Sequence, residues 1–187
     1  MDTKLINILK KDGVAIIPTD TIYGIVGSAL NPQVVEKIYS LRKRMPNKPF
    51  IILISSLDDL EKFDIELTQK QKEFLEKNWP NPVSVVLPIQ SEKFKYLHRA
   101  TNSLAFRMPK KKKLLDLLKQ TGPLVAPSAN WEGQKPSETI EEAKKYFGDR
   151  IDFYVDGGII KSQPSTLLQL NVDGSKKILR KGTFKIE

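Results

Sequence analysis

Cysteine is absent from this sequence of 187 residues, and histidine occurs once, as His98. Without thiols the chain can form no disulfide bond and has no thiolate nucleophile, and a single imidazole leaves too few ligands for the usual zinc sites. A Ser-His-Asp triad would have to use His98, which lies in a polar connecting stretch over residues 96–99. We therefore expect a surface or structural role for His98, and no metal site built from protein ligands.

Long hydrophobic runs are also missing. The longest apolar runs contain about five residues, whereas a membrane-spanning helix needs about 20. The apolar N-terminal segment over residues 5–9 is short, is interrupted by Asn7 and is flanked by lysines, unlike a signal peptide. These absences predict a cytoplasmic protein with no membrane partner.

Three common catalytic fingerprints do not occur. The sequence contains no G-x-x-x-x-G-K-[ST] phosphate loop, no G-x-G-x-x-G after a strand and no G-x-S-x-G nucleophile elbow. An enzyme with this composition would depend on cations, hydroxyls and backbone amides. Such groups suit phosphoryl or nucleotidyl transfer, in which positioning and charge stabilisation do most of the catalytic work.

Positive charge is abundant. The chain has 31 Lys and Arg against 22 Asp and Glu, for a net charge of +9. This balance indicates an anionic partner, although a lysine-rich surface that keeps the protein in solution is an alternative. The four lysines at residues 110–113 predict a solvated face, with contact to nucleic acid as the alternative.

Hydrophobic periodicity predicts short strands that alternate with helices, as in one α/β domain over residues 1–187. The predicted helices cover residues 3–12, 32–43, 68–79, 110–120 and 137–147. The predicted strands cover residues 14–17, 50–54, 83–87, 104–106, 124–126, 151–155, 166–170 and 177–179. Few helices separate the later strands, so we expect a mixed sheet. Residues 19–24 are predicted to form a polar loop, and Trp79 is predicted to pack in the core.

Two separated stretches are the main candidates for a binding site. Residues 42–50 place four cations in seven positions directly before an apolar run, and residues 126–130 offer a hydroxyl, an amide and free backbone N–H groups. Cations and small polar groups on turns are what a polyanion such as a triphosphate requires. For one or two of the cations, interaction with the C-terminal dipole of a helix is the alternative.

Two further features resemble parts of a pocket. The Thr-Asp-Thr loop at residues 19–21 follows a predicted strand, where ligands often bind, although a turn that only caps the next segment is the alternative. Arg107 ends another predicted strand and is suited to bidentate pairing with a carboxylate. A surface salt bridge is the alternative for Arg107.

Taken in order, these segments resemble the YrdC/TsaC family of threonylcarbamoyl-AMP synthases, and the resemblance covers nearly the whole chain, from about residue 14 to 182. Eight blocks carry it: PTDTIYG at 18–24, RKRMPNKP at 42–49, WPNPVSVVLP at 79–88, LAFRMP at 104–109, APSANWEG at 126–133, the region of Ser137, QPST at 163–166 and LRKG at 179–182. Eight blocks in the family's order are far more specific than any one of them.

The resemblance implies an α/β fold with a twisted, mostly mixed and antiparallel sheet, flanked by helices and carrying a basic concave face. It implies a nucleotidyltransferase that makes threonylcarbamoyl-AMP and pyrophosphate from L-threonine, bicarbonate and ATP. ATP would bring Mg²⁺ with it. The product would pass to a tRNA threonylcarbamoyl transferase complex for the t6A37 modification of tRNA. The alternative is a module that binds double-stranded RNA or tRNA without catalysis.

The resemblance also implies roles for individual residues. L-Threonine would be held by Thr21, Arg107 and Ser165. The catalytic and triphosphate-binding residues would be Arg42, Arg44, Lys48, Ser128 and Asn130. The nucleotide side would be lined by Ser103, Ala126, Ser128, Ser137 and Arg180, together with Arg44 and Lys48.

The sequence departs from the family pattern at three points. Arg42 stands where the family usually has Lys, which keeps the charge but replaces a point charge with a planar fork. Leu53 or a neighbour stands where many members have His after the Lys-Pro turn. The segment after Thr166 lacks the acidic residue that often follows the Ser-Thr pair.

Overall fold

Nine strands form one mixed sheet in the computed structural model, which describes residues 2–186. The strands are β1 (Ala15–Pro18), β2 (Tyr23–Ser28), β3 (Ile51–Leu53), β4 (Val83–Pro88), β5 (Ser103–Arg107), β6 (Leu124–Val125), β7 (Phe153–Tyr154), β8 (Thr166–Leu170) and β9 (Lys176–Arg180). The helices are α1 (Thr3–Lys10), α2 (Pro32–Arg42), α3 (Gln69–Asn78), α4 (Lys95–His98), α5 (Lys112–Thr121) and α6 (Ile140–Phe147). Short 3₁₀ helices cover Leu57–Phe63, Glu92–Phe94 and Gly148–Arg150.

The sheet has the strand order β7-β1-β2-β6-β3-β5-β4-β8-β9. Five neighbouring pairs are antiparallel, namely β1/β2, β2/β6, β3/β6, β4/β5 and β8/β9. Three pairs are parallel, namely β1/β7, β3/β5 and β4/β8. This arrangement confirms the predicted α/β fold with a mixed, mostly antiparallel sheet flanked by helices.

One face of the sheet packs against the larger hydrophobic core. Ile52 pairs with both Phe106 and Val125 across the central strands, so the three side chains lie on the same face. All three are fully buried with residues of α2, α3 and the Leu57–Phe63 helix. The removal of this apolar surface from water is the main force that favours the folded state.

The opposite face is covered over only part of its area. Leu53 and Leu124 pair on this face and pack with the leucines of α1 and α5 in a second core cluster. Further along, Ser103, Ala105 and Arg107 of β5 alternate with the buried Leu104 and Phe106, so they point to the same face as Leu53. They line an open cleft beside the two helices.

The main correction to the predicted element boundaries concerns strand β2, whose first residues were predicted to lie in a loop. Residues 23–28 form β2, which makes a hairpin with β1 and also pairs with β6. Gly24 and Gly27 interrupt the hydrophobic pattern that would otherwise predict this strand. A Cβ on Gly27 would clash with Val34 of α2, so close helix packing explains the residue that weakens the pattern.

The start of α6 is a second correction. The helix begins at Ile140, with Thr139 as its N-cap, and does not begin at Ser137. The Ser137 hydroxyl donates to the carbonyl of Ala129 at 2.6 Å, which ties this segment to the candidate loop at residues 126–130. The hydroxyl therefore joins two loops and does not cap a helix.

One prediction for a single residue is confirmed, because Trp79 packs in the larger core and its indole N–H donates to the Val83 carbonyl at 2.8 Å. His98 is 2% exposed at the end of α4, so the surface position that was one of its two predicted alternatives is wrong. Within residues 2–186 no helix is both long and apolar enough to cross a membrane.

The N-terminus of α3 generates a prediction for stability. Thr68 accepts from the Gln71 backbone N–H, and the Gln71 side chain accepts from the Thr68 N–H, which together form a capping box. Replacing Thr68→Ala should lower the free energy of unfolding by about 1 kcal/mol, because a backbone donor at the helix start loses its partner. Urea denaturation measures the change. Thr68→Ser retains the hydroxyl and should stay close to wild type; equal losses in both variants would contradict the capping role.

Candidate functional site

A cleft of about 340 Å³ lies on the open part of the sheet face, between the loop after β1, the end of α2, the loop after β6 and strands β5, β8 and β9. Volumes of this size are common for small-molecule sites. Of the residues predicted for the site, nine line the cleft: Thr21, Arg42, Arg44, Ser103, Arg107, Ala126, Ser128, Ser165 and Arg180. Lys48, Asn130 and Ser137 are not among its lining residues.

Arg42 connects the two stretches singled out in the sequence. It is the last residue of α2, and its guanidinium enters the loop after β6. Nε donates to the Asn130 carbonyl at 3.1 Å, and Nη2 donates to Ser128 Oγ at 3.1 Å and to Asn130 Oδ1 at 3.2 Å. The predicted phosphate-binding arginine is therefore also the contact that holds the second loop in place.

Arg42 is unusually buried for a cationic residue. The residue is 3% exposed, and burial, followed by the nearby charge of Arg44, lowers its pKa to about 10. Burial disfavours the charged form of a base, and the hydrogen bonds to Ser128 and Asn130 offset part of that cost. An anionic ligand beside Arg42 would stabilise the charged guanidinium further.

Arg44 forms the neighbouring wall. Its Nε donates to the Lys48 carbonyl at 3.0 Å, and its Nη2 donates to the Pro49 carbonyl at 3.3 Å. Burial lowers its pKa below the ordinary value for arginine. These contacts fold the turn between α2 and β3 around the guanidinium, so Arg44 lines the cleft from a fixed position.

Lys48 has a different position from the one predicted. Its ammonium pairs with the Glu132 carboxylate at 2.7 Å, and its side chain is 51% exposed. The other carboxylate oxygen of Glu132 accepts from the backbone N–H of Met45 at 2.6 Å. Lys48 thus joins the turn after α2 to the loop after β6, outside the cleft lining, and Glu132 is a partner that the sequence analysis did not identify.

Asn130 and Ser137 support the loop from behind. The Asn130 amide donates to the carbonyls of Trp131 and Gln134 at 2.7 and 2.8 Å, while its oxygen accepts from Arg42. Asn130 is 4% exposed and Ser137 is 2% exposed. Both side chains are therefore placed to shape the Ser128 turn, and neither faces the cleft.

Arg107 also lines the cleft and is almost completely buried. Its Nη1 donates to Thr21 Oγ1 at 3.2 Å, and its Nη2 lies 3.2 Å from Asp20 Oδ1. Burial lowers its pKa, and the Asp20 charge opposes that shift. A guanidinium has five N–H donors, and Nε of Arg107 has no partner among the described residues.

Ser165 and Arg180 close the side formed by β8 and β9. The Ser165 hydroxyl lies 2.8 Å from that of Ser84, and Arg180 donates to the Ser165 carbonyl through Nη2 at 3.0 Å. Ser165 is 1% exposed. Ser84 and Arg180 thus hold Ser165 in one orientation, as a binding group requires.

The lysine run at residues 110–113 is only partly a solvated face, which corrects the prediction for one of its members. Lys110, Lys112 and Lys113 are exposed, but the ammonium of Lys111 donates to the carbonyls of Pro18 and Thr19. Burial lowers the pKa of Lys111. A run of identical residues carries no periodicity that singles out one member, so the sequence could not distinguish Lys111.

The cleft lining defines the class of ligand. Four arginines and several hydroxyl groups line it, and its lining residues include no carboxylate. Among residues 2–186 no group of three or more acidic, histidine or cysteine side chains is placed to hold a metal ion. The structure is thus an α/β protein with a cleft that is lined by four guanidinium groups and is suited to a small anionic ligand.

Comparison with protein families agrees with this class. Residues 7–182 match the Sua5/YciO/YrdC family model, whose description is "Telomere recombination". The chain therefore belongs to the Sua5/YciO/YrdC family, which confirms the family predicted from its motifs.

Individual relatives carry the name threonylcarbamoyl-AMP synthase. The Bacillus subtilis protein is 33% identical over 154 residues, which are 81% of this chain and 44% of that protein. The Pyrococcus abyssi protein is 30% identical over 183 residues, which are 96% of this chain and 53% of that protein. The chain thus spans about half the length of these two relatives.

Solved structures show the same fold. P. abyssi Sua5 complexed with L-threonine superimposes with a TM-score of 0.86 at 28% identity, covering 95% of this chain and 53% of that one. A Methanobacterium thermoautotrophicum protein solved in solution has a TM-score of 0.74 at 28% identity, covering 98% of this chain and 86% of that one. The second match shows that the fold also occurs in a chain of similar length.

The contacts of Arg42 predict a sharp distinction between arginine and lysine. Arg42→Lys keeps the charge but cannot reach Ser128 and both Asn130 oxygens from one planar group, so we expect a loss of about 1.5–3 kcal/mol in unfolding free energy. Denaturant titration measures this loss. Arg150→Lys alters an exposed arginine that also donates to two carbonyls and serves as the control; similar losses in both variants would show that Arg42 has no special supporting role.

The carboxylate of Glu132 predicts a pH dependence. Its hydrogen bond from Lys48, followed by that from the Met45 N–H, lowers the pKa of Glu132 below its ordinary value of 4.5. A lowered pKa contributes stability that is present above the ordinary value and is lost as the pH falls through the folded-state pKa. Glu132→Gln should therefore lose less stability than wild type when the pH is lowered from about 5 to about 3.

Thermal unfolding over this pH range measures the difference. Glu76→Gln removes an exposed carboxylate whose lysine neighbour is 4.0 Å away and provides the control. A pH profile of Glu132→Gln that coincides with the wild-type profile would contradict the assigned ion pair.

Proposed function

We propose that this chain is an L-threonylcarbamoyladenylate synthase, which makes threonylcarbamoyl-AMP and pyrophosphate from L-threonine, bicarbonate and ATP. The observation that carries the proposal is the placement of two kinds of anion-binding group in one cleft. Arg42 and Arg44 form one group, and the buried Arg107 with Thr21 forms the other. The names of the relatives and the L-threonine in the P. abyssi Sua5 structure support the same reaction.

The group that contains Arg107 is the site we assign to L-threonine. Arg107 pairs the amino-acid carboxylate, and the hydroxyls of Thr21 and Ser165 hydrogen bond its polar groups. Nearly complete burial strengthens a charge-assisted contact of this kind, because solvent screening is weak there. The free donors of Arg107, including Nε, leave capacity for the carboxylate.

The group that contains Arg42 and Arg44 is the site we assign to ATP. Arg42 and Arg44 neutralise the triphosphate, while Ser103, Ala126, Ser128 and Arg180 line the nucleotide. Lys48, Asn130 and Ser137 act on the nucleotide through the loops that they hold together. Fixed guanidinium groups stabilise developing negative charge without reorganisation during the reaction.

The chemistry requires no protein nucleophile. The amine of L-threonine combines with bicarbonate to give a carbamate and water. A carbamate oxygen attacks the α-phosphorus of ATP, the bond from that phosphorus to the bridging oxygen breaks, and pyrophosphate leaves. Catalysis consists of alignment and charge stabilisation, as in other phosphoryl and nucleotidyl transfers, which makes the protein a nucleotidyltransferase.

Mg²⁺ enters this proposal as part of the ATP substrate. The guanidinium-rich lining offers no cage of oxygen ligands, and Mg²⁺ commonly binds through substrate phosphates together with one or two carboxylates. Bound there, the ion would neutralise part of the triphosphate charge. The arginines and hydroxyls of the chain bind and orient the substrates.

The product is reactive and would be used in the t6A37 modification of tRNA, with a tRNA threonylcarbamoyl transferase complex as the downstream partner, in the cytoplasm. Double-stranded RNA binding without catalysis is not favoured. It leaves the buried pair of Arg107 and Thr21 without a purpose. The lysine run at residues 110–113 also gives weaker support to RNA binding, because the ammonium of Lys111 is directed to backbone carbonyls.

The proposed assignment of Arg107 predicts a selective defect. Arg107→Lys should raise the KM for L-threonine by about 10- to 150-fold, corresponding to about 1.5–3 kcal/mol for a charge-assisted pair. The KM for ATP should change little. Pyrophosphate release, measured while each substrate is varied at saturating levels of the others, tests both statements.

Arg150→Lys, outside the cleft, is the control for this experiment. Equal increases in both KM values would place Arg107 outside the L-threonine site. If the wild-type protein does not release pyrophosphate in a threonine-dependent manner, the proposed function is wrong.

A further inference from the structure

Lys111 reaches a loop that lies far from it in sequence. Its Nζ donates to the Pro18 carbonyl at 3.0 Å and to the Thr19 carbonyl at 3.1 Å. Two successive carbonyl groups thus converge on one ammonium. The cation is anchored, because Lys111 is the N-cap residue of α5, and Leu114 and Leu117 of that helix are buried in the second core cluster.

The loop held by Lys111 leads directly to Arg107. Thr19 Oγ1 donates to the Ile22 carbonyl at 2.7 Å and lies 3.2 Å from Thr21 Oγ1. Thr21 Oγ1 in turn accepts from Arg107 Nη1 at 3.2 Å. A continuous series of polar contacts therefore runs from the ammonium of Lys111 to the guanidinium at the end of the cleft.

The preceding residue makes a second connection to the same loop. The backbone N–H of Lys110 donates to Asp20 Oδ2 at 3.2 Å, and Asp20 Oδ1 lies 3.2 Å from Arg107 Nη2. Residues 110 and 111 thus contact the loop at the carbonyls of Pro18 and Thr19 and at the Asp20 carboxylate. Hydrogen bonds within the loop, from the Thr19 N–H and hydroxyl to the Ile22 carbonyl, define its local turn. The contacts from residues 110 and 111 tie that turn to the segment that follows Arg107.

We infer that Lys111 is a positioning residue for the substrate amino acid: its ammonium holds the loop at residues 19–21 so that Thr21 and Arg107 face the cleft. The inference rests on the proposed function, because that proposal assigns Thr21 and Arg107 to L-threonine. Lys111 is not among the residues that line the cleft, and its ammonium bonds the carbonyls of Pro18 and Thr19 next to Thr21. Its loss should therefore affect one substrate and leave the other unchanged.

Lys111→Met tests the inference, because methionine retains an unbranched apolar side chain and removes the donors. We expect the KM for L-threonine to rise about tenfold, while kcat and the KM for ATP stay within about twofold of wild type. Lys112→Met is the matched control from the same run, since Lys112 is exposed and should show no change. Lys111→Arg restores a cation with donors and should recover most of the threonine affinity.

Two results would overturn the inference while leaving the proposed function intact. Identical kinetics for Lys111→Met and Lys112→Met would show that the contact is dispensable. A joint fall in kcat, both substrate affinities and melting temperature would show that Lys111 only stabilises the fold. Should Lys111→Met fail to fold, Lys111→Gln, which keeps a donor, is judged by the same criteria. An inactive wild type that binds no L-threonine would overturn the proposed function itself.

Discussion

The insertion of the Arg42 guanidinium into the loop after β6 is the interaction on which the site depends. Arg42 is 86 residues from Ser128 and 88 residues from Asn130 in sequence, and three hydrogen bonds from its side chain join α2 to this loop. A buried cation is costly unless its donors are satisfied. The requirement to satisfy them makes the loop adopt one conformation, and that conformation aims Ser128 into the cleft.

The same double use of arginine recurs around the cleft. Arg44 organises the turn before β3, Arg180 orients Ser165, and Arg107 bonds Thr21. Each guanidinium thus lines the cleft and also holds the neighbouring segment in place through hydrogen bonds. A ligand that meets these groups finds them already oriented, so little conformational entropy is lost on binding. Preorganised cations of this kind suit a reaction in which negative charge moves between phosphate groups.

Partial coverage of one sheet face creates the space for that ligand. Helices α1 and α5 bury the side chains around Leu53 and Leu124, whereas the same face of β5 presents Ser103 and Arg107 to the cleft. The period of two along β5 separates this polar row from the core residues on the other face. One face of β5 thus packs in the core, and its other face lines the cleft.

Motif order and hydrophobic pattern determined the family, the mixed sheet and nine of the residues that line the cleft, because these features depend on local spacing. Only the tertiary structure decided which cations line the cleft. Lys48 meets Glu132, and Lys111 meets two carbonyls, although both lie in runs of similar charge. Strand β2 was obscured by Gly27, whose lack of a side chain is explained by its contact with α2. The direction and partner of a long charged side chain depend on segments distant in sequence, and no local pattern records them.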